Sequence, residues 1–516
     1  MQSIETLPAA VPLLTVLVAL PALGALLLAI PVLRQRGRVI ALGVSVIELA
    51  VALVAFSVYF DWTTPGTYQL VESYTWIPQM GVSWALGLNA LGAVMVLLAV
   101  ALVPLVLLAG WDDDTDDAHA GAYAGLVLCL EAFMVLIFAA FDVVVFYIAF
   151  EAMLIPLYLM IGRFGTGEAL ARRAAAMKFL LFSLAGGLVM LGGIVALWAL
   201  TPWDTHTGTF FRLDNLADIS TALTPALQMG IFVTFMAAFA IKAPMVPVHT
   251  WLPDTAAVAR PGTSVLLVGV LDKIGTFGMI LLCLRLFPDA ADQARWVIAA
   301  LAVLSILWGG LAAIGQNDIM RLVSYTSVSH FGFMVLGTFI GTSVALVGAM
   351  FYMVAHGVSI AAMFLLSGWL AGRGGTNDMG HYSGMQRVTP VLAGLWLVSG
   401  LASVALPGLS GFVPEYLVLM GTWQANVPLA VFAVMGVVIA ALYLLLPYQR
   451  VFTGKAHKRT SDLPDLGGRE RAVMVPLVAA MIILGIWSAP LVSALTPVAD
   501  SVVVPVSSSA LEGSAQ

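Results

Sequence analysis

Uninterrupted runs of about twenty apolar residues recur along the whole chain, and they constrain its fold more than any other feature. A bilayer core holds no water to satisfy a bare backbone, so a run of that length forms a helix whose hydrogen bonds close within the segment. Fourteen such runs are read, at approximately 9–33, 39–60, 85–110, 120–141, 143–162, 175–200, 226–248, 262–286, 295–315, 319–340, 342–371, 389–423, 428–453 and 471–494. The connections are short, which predicts a single all-α polytopic membrane domain over residues 1–516. The chain is 61% hydrophobic and 10% charged, whereas a soluble protein carries roughly 25% charged residues. The first run is long enough to span. No basic segment of a cleaved leader precedes it, so it is kept as a helix.

The few charges are unevenly placed. If the N-terminus lies outside, the outer loops hold three cationic residues, Arg212, Arg285 and Arg295. Three more, Lys178, Lys242 and Lys273, lie within runs, and the other sixteen of the 22 Lys and Arg fall in inner loops. This bias predicts both termini on the outer side of a bacterial plasma (inner) membrane. The net charge of −6 comes from loops, mainly WDDDTDD (Trp111–Asp117) on the inner side, and does not suggest nucleic-acid binding. Cys129 and Cys283 lie in separate apolar runs and read as core thiols; an iron–sulfur cluster takes about four cysteines. No haem-attachment, Walker A or dinucleotide-binding glycine motif stands in the chain, so neither a cofactor nor a metal is expected in it.

Two long runs carry proline at matching places. Run seven has Pro244 and Pro247, and run twelve has Pro407, Gly408 and Pro414. Five runs apart, they point in opposite directions across the membrane, the pattern of an inverted repeat with two broken helices. The expected division is one repeat over about 120–286, a second over about 295–453, and flanking helices at 9–110 and 471–494.

A row of ionisable side chains stands inside the runs: Glu151, Lys178, Lys242, Lys273, His330, His356 and Glu415, from runs five, six, seven, eight, ten, eleven and twelve. Each is costly at membrane depth unless paired or hydrated, so each is a functional candidate. A structural pair needs two charges, whereas one titratable group in nearly every central run suits a proton path. A carboxylate near a lysine has two states separated by one proton, burial and pairing oppose each other in setting its balance, and histidine titrates near neutrality. The prolines beside Lys242 free carbonyls that can hold water near its amine. Blander readings exist. Glu151, Lys242 and Lys273 could be structural ion pairs, the two histidines satisfied core residues, and Lys178 a snorkelling side chain near the inner end of run six. Haem ligation by His330 and His356 is disfavoured, because the other histidines lie in loops or at run ends. Glu48 and Asp142 read as packing or rim residues. Glu131 and Asp272 stay open, with Asp272 pointing to a different helix face from its neighbour Lys273.

Seven segments then carry a resemblance: FYIAFEAMLIPLY (Phe146–Tyr158), KFLLFSLAGG (Lys178–Gly187), FAIKAPMVPVHTWLPD (Phe239–Asp254), GVLDKIGTFG (Gly269–Gly278), QNDIMRLVSYTSVSHFGF (Gln316–Phe333), AHGVSIAAMFLLSG (Ala355–Gly368) and LPGLSGFVPEYLVL (Leu406–Leu419). The chain resembles, over nearly its whole length, the antiporter-like subunits of respiratory complex I, the proton-pumping NADH:quinone oxidoreductase. Sister chains of types L and N, and the large subunits of multisubunit sodium/proton antiporters, usually carry lysine at the run-twelve position. Glu415 in its PGxSGF context is similar to the M type, the counterpart of mitochondrial subunit 4. The resemblance implies fourteen helices with inverted five-helix repeats at runs four to eight and nine to thirteen. It implies that Glu151 pairs with Lys242, that Lys273 connects the two halves, that His330 and His356 continue a central polar axis, and that Glu415 ends it as a proton-exchanging residue. It further implies FMN, iron–sulfur clusters and quinone in partner subunits, with L and N chains on either side in the lipid bilayer.

Three places depart from the pattern. TAAVARPG (Thr255–Gly262) replaces an AHVEAPT-like segment, so that loop is assigned no role. Met320 stands where lysine is usual before Arg321, and Asp272 occupies a normally apolar place. The expectation is a proton-translocating subunit without a redox centre. The alternatives are a sodium/proton antiporter subunit, which the run-twelve residue and sodium dependence discriminate, and a non-translocating scaffold, which gains nothing from buried titratable groups.

Overall fold

A computed structural model describes residues 4–201, 207–221 and 223–503. The two chain ends, whose side of the membrane is predicted above, reach into residues outside this range. The architecture is predominantly helical: α1 (Leu13–Ala29), α2 (Gly37–Tyr59), α3 (Ala90–Ala109), α4 (Asp117–Ala139), α5 (Val143–Gly162), α6 (Ala169–Leu200), α7 (Pro225–Lys242), α8 (Pro261–Leu284), α9 (Pro288–Ile314), α10 (Ile319–Phe339), α11 (Ser343–Gly374), α12 (Pro390–Ser403), α13 (Phe412–Ala425), α14 (Val427–Phe452), α15 (Gly468–Ile486) and α16 (Ala489–Val502). Proline opens α7, α8, α9 and α12; its missing N–H is one the first turn leaves unpaired anyway.

Every apolar run falls on helix, but among the described residues only eleven helices are long and apolar enough to cross a membrane, or twelve if α15 and α16, bent by 70°, form one span. Helices α1 and α12 are shorter, with 17 and 14 residues, so length and composition alone do not reach fourteen. Several predicted boundaries move, including the starts of α6 and α9, at Ala169 and Pro288 where the runs began at 175 and 295. The run begun at residue 85 joins strand to helix, because Ala85–Leu88 belongs to a strand and Asn89 then caps α3 through Gly92 N at 3.1 Å. Apolarity alone cannot separate a buried strand from the helix that follows it. The run ending at 494 is broken at Trp487 and Ser488, and α16 continues beyond it.

A three-stranded sheet lies beyond the predictions: β1 (Thr6–Pro8), β2 (Tyr68–Ile77) and β3 (Val82–Leu88), with β2 antiparallel to β3 and parallel to β1. Its turn uses Gly81 at φ +72°, and its polar side chains cap helices. Glu72 accepts from Leu14 N at 2.7 Å and Thr15 N at 3.1 Å, satisfying orphan donors of α1. Asp142 accepts from Val144 N, Val145 N and Ser83 N, tying the start of α5 to β3. Asp142 is therefore a packing residue, as expected.

Helices α8 and α11 are buried along their whole apolar windows and form the core. Helix α8 is irregular: π-type turns at Leu267–Leu271 and Met279–Leu284 flank the regular turn Lys273–Gly278. Such bulges rotate the residues that follow them and recur at functional sites. Breaks lie where proline predicted them. Helix α7 ends at Lys242 and resumes as a short helix, Trp251–Val258. Between α12 and α13, Ala405 and Gly408 adopt left-handed backbone, with φ of 57° and 90°.

The loop WDDDTDD is held by cations from distant segments. Arg38 pairs with Asp117 at 3.0 Å, and Arg469 pairs with Asp112. Arg260 grips Asp114 through two bonds of 2.7 and 2.9 Å, donates to Phe164 O, and lies 4.8 Å over the Tyr123 ring. The altered segment 255–262 thus has a structural role that its departure from the family pattern concealed. Burial pushes the Asp114 carboxyl up, but hydrogen bonds from Arg260 and His119 and their charges outweigh it and hold the group below its usual value. Arg260→Ala leaves the partly buried Asp114 carboxylate with His119 as its remaining side-chain partner. Losing hydrogen bonds to a charged group costs about 1.5–3 kcal/mol, so the thermal midpoint of the solubilised protein should fall. Because the Asp114 carboxyl is held low, the wild-type advantage is present above about pH 4 and is lost as pH falls further. Melting curves of both proteins at neutral and acidic pH check this.

Candidate functional site

The residues predicted from the sequence come together in two groups, joined across α8. Glu151 sits on α5, partly buried against α6. Gly187 on α6 makes this possible, since a Cβ there would overlap the Glu151 carboxylate. Lys242, 1% exposed, is the last residue of α7, where a cation complements the negative end of the helix dipole. Its amine has no hydrogen-bond acceptor among the described residues and lies 5.6 Å over the Phe179 ring. The carboxylates near enough to act on its charge are Asp272 and Glu151. Glu151 and Lys242 therefore influence each other without the direct ion pair that the resemblance implies. The break after Lys242 is also less open than the prolines suggest, because the Trp251 indole donates to Ile241 O at 3.0 Å and Ser305 accepts from Val246 N at 3.0 Å.

Beyond α8 the contacts are direct. Lys273, fully buried, bonds Val268 O on its own helix and His356 Nδ1 on α11 at 2.8 Å. Its amine lies 5.3 Å over the Phe331 ring. The His356 and His330 rings meet edge to face with centroids 5.0 Å apart. His330 Nε2 bonds the Tyr443 hydroxyl of α14 at 2.9 Å. Tyr352, one helical turn before His356, lies 5.7 Å from the His330 ring and donates its hydroxyl to Glu415 Oε2 at 2.9 Å. Close helix crossings make this geometry possible. A Cβ at Gly357 would lie 2.9 Å from Gly269 O, and one at Gly348 would lie 2.8 Å from Pro414 O. Lys273, His356, His330, Tyr352 and Glu415 thus form a buried polar line through α8, α11, α10 and α13.

Chemically, the line can pass a proton. With Lys273 charged, His356 Nδ1 must accept, so its proton sits on Nε2. A proton arriving at Nδ1 then leaves from the opposite nitrogen, which has no hydrogen-bond partner among the described residues. Ionised Glu415 receives a charge-assisted bond from Tyr352.

Other candidates fall elsewhere. Lys178 is partly exposed and pairs with Asp254 at 2.6 Å, which also holds Arg321 at 2.6 Å, so Lys178 belongs to an ion cluster apart from the line. Glu131 on α4 and Glu48 on α2 are both 0% exposed, and none of their carboxyl oxygens has a hydrogen-bond partner among the described residues. Of the two readings given to Glu48, packing or rim, its burial excludes the rim. Asp272 is fully buried, and neither of its carboxyl oxygens has a hydrogen-bond partner among the described residues. Tyr352 and Tyr443 were missed, because a tyrosine in an apolar run carries no sign of where its hydroxyl will point. Cys129 and Cys283 are free thiols. Among the described residues, no group of three His, Cys, Asp or Glu is placed to hold a metal.

Comparisons with known proteins bear on the fold and the family. Residues 140–440 match the family model described as NADH:quinone oxidoreductase/Mrp antiporter, TM. NADH-quinone oxidoreductase subunit M of Mycobacterium tuberculosis (strain ATCC 25618 / H37Rv) is 40% identical, over 95% of this chain and 94% of that protein. Subunit M of Rhodobacter capsulatus is 35% identical over 92% and 93%. Among solved structures, a chain of respiratory complex I from Thermus thermophilus with bound NADH superposes with a TM-score of 0.84 at 32% identity, covering 95% of this chain and 98% of that one. A chain of the Mrp complex from Dietzia sp. DQ12-45-1b shares the fold, with a TM-score of 0.84 at 22% identity over 95% and 97%. The chain belongs to the antiporter-like membrane subunits of NADH:quinone oxidoreductase, and within them to the M type.

Proposed function

We propose that this chain is a proton-translocating membrane-arm subunit, working while electrons pass from NADH to quinone through FMN and iron–sulfur clusters in partner subunits. One observation carries the reading: the buried line from Lys273 through His356, His330 and Tyr352 to Glu415, in which each member bonds or packs against the next. A scaffold has no need of it, since each such group costs several kcal/mol at membrane depth unless satisfied.

In this reading Glu151 and Lys242 form the switch. They interact at a distance, so a small approach or separation changes which of them holds the proton. A proton released there moves to Lys273, crosses the two histidines and leaves at Glu415. The break before α13 frees backbone groups that water or neighbours must satisfy, and water at this break gives Glu415 its exchange route to the outer side. The two breaks, after Lys242 and before Glu415, fit two inverted repeats over about 120–286 and 295–453. The chain then sits in a bacterial plasma membrane with both termini outside, between L and N chains. The second reading is a subunit of a sodium/proton antiporter, favoured by the equal fold likeness of the Mrp chain. Sodium-dependent transport in vesicles would support it; proton pumping driven by NADH alone would exclude it.

Two mutational series test the proposal in the assembled complex. Lys242→Ala and Glu151→Gln should each lower NADH:quinone turnover and proton pumping together, by about tenfold, which is roughly 1.4 kcal/mol of barrier. The double variant should cost little more than either single one, since coupled residues act non-additively. Normal pumping by Lys242→Ala would overturn the switch. At the other end, Glu415→Gln keeps shape but cannot titrate and should impair pumping severely, whereas Glu415→Asp should retain more. Glu415→Lys reverses the field on His356 and His330 and should work partially at best. Protons translocated per NADH, at equal assembly, rank the three; a Gln variant equal to wild type beside an impaired Asp variant would make the position structural.

A further inference from the structure

Asp272 is the one fully buried carboxylate near the line that neither half of the relay uses. It is 0% exposed, and neither oxygen has a hydrogen-bond partner among the described residues. It stands where the π turn Leu267–Leu271 ends, and its N–H bonds Leu267 O five residues back at 2.9 Å. Three residues later, Gly275 packs against the start of the α7 break; a Cβ there would meet Ala243 N at 2.5 Å. The segment bearing Asp272 therefore lies against the residue that follows Lys242. Two adjacent side chains of α8 consequently serve two neighbours. Lys273 reaches forward to His356 on α11, while Asp272 carries its charge on the turn packed against Ala243, next to Lys242 of α7.

Charge balance gives this placement a purpose. Lys242 and Lys273 are two buried ammonium groups, and Glu151 is one partly buried carboxylate. Without a second carboxylate, the charged cluster carries a net positive charge in a low-dielectric core, a state that costs several kcal/mol. With Asp272 ionised, the four groups sum to zero.

Resting on the relay reading above, we infer that Asp272 is the proton-transfer residue between Lys242 and Lys273, carrying the proton across α8. Asp272 and the Lys242 amine are not hydrogen-bonded, so the transfer runs through a bridging water: Lys242 gives up a proton and an Asp272 oxygen takes one, which leaves a neutral amine and a neutral carboxyl group. The carboxyl group then gives that proton to the neutral Lys273 amine, whose own proton has left to His356. No bond other than N–H and O–H forms or breaks.

The test uses the assembled complex in vesicles, with protons translocated per unit time as the readout. Asp272→Asn keeps the shape and removes the proton site, and transport should fall about tenfold. Asp272→Glu restores a carboxyl group and should recover most of the rate, which a purely packing role would not allow. Asp272→Asn combined with Lys242→Ala should be no worse than Lys242→Ala alone. Wild-type pumping by Asp272→Asn or Asp272→Leu, or additive loss in the double variant, overturns the inference. So does failure of both to assemble while Asp272→Glu assembles, because the carboxylate is then needed for folding. The proposed relay and this inference fail separately: normal pumping in Lys242→Ala sinks the relay, whereas impaired Lys242→Ala beside normal Asp272→Asn sinks only the role of Asp272.

Discussion

The hydrogen bond between Lys273 and His356 joins the two helices that are buried along their whole apolar windows, and the rest of the site is arranged around it. An ammonium in the middle of an apolar bundle persists only with an acceptor or an opposite charge. Val268 O and His356 Nδ1 accept on one side, and Asp272 supplies negative charge on the other. That requirement fixes the distance between α8 and α11, which only the Gly357–Gly269 crossing allows. Once this pair is set, His330 meets His356 on one face and Tyr352 brings Glu415 in from α13.

Irregular backbone gathers at the same place. Helix α7 stops at Lys242, α8 changes pitch on either side of Lys273, and the chain breaks just before Glu415. Each irregularity gives up helical hydrogen bonds where replacing them is expensive. A regular helix would be the cheaper solution at every one of these points. Their coincidence with three of the buried ionisable residues links the strain to the chemistry and not to packing alone.

Much of this was legible in the sequence, for physical reasons. A run of twenty apolar residues has one stable form in lipid, and a lysine or glutamate inside it stands out because it is costly. Glu151, Lys242, Lys273, His330, His356 and Glu415 could be singled out in this way. What escaped was whatever depends on a partner distant in sequence. The hydroxyls of Tyr352 and Tyr443 become part of the line only when α10, α13 and α14 close around them. Lys178 looked like a member of the row until Asp254 claimed it. Arg260 lay in a segment set aside for departing from its family pattern, yet it grips the acidic loop 146 residues away. The sheet β1–β3 was hidden because its last strand, β3, is as apolar as the helix that follows.

The central claim is that protons cross the middle of the chain through His356. His356→Gln tests it most directly, because glutamine can still accept from Lys273 but cannot carry a proton. Protons translocated and NADH oxidised should be measured in vesicles containing the assembled variant complex. The account predicts that both fall together, with assembly intact. Wild-type rates and an unchanged ratio of protons to NADH would contradict it.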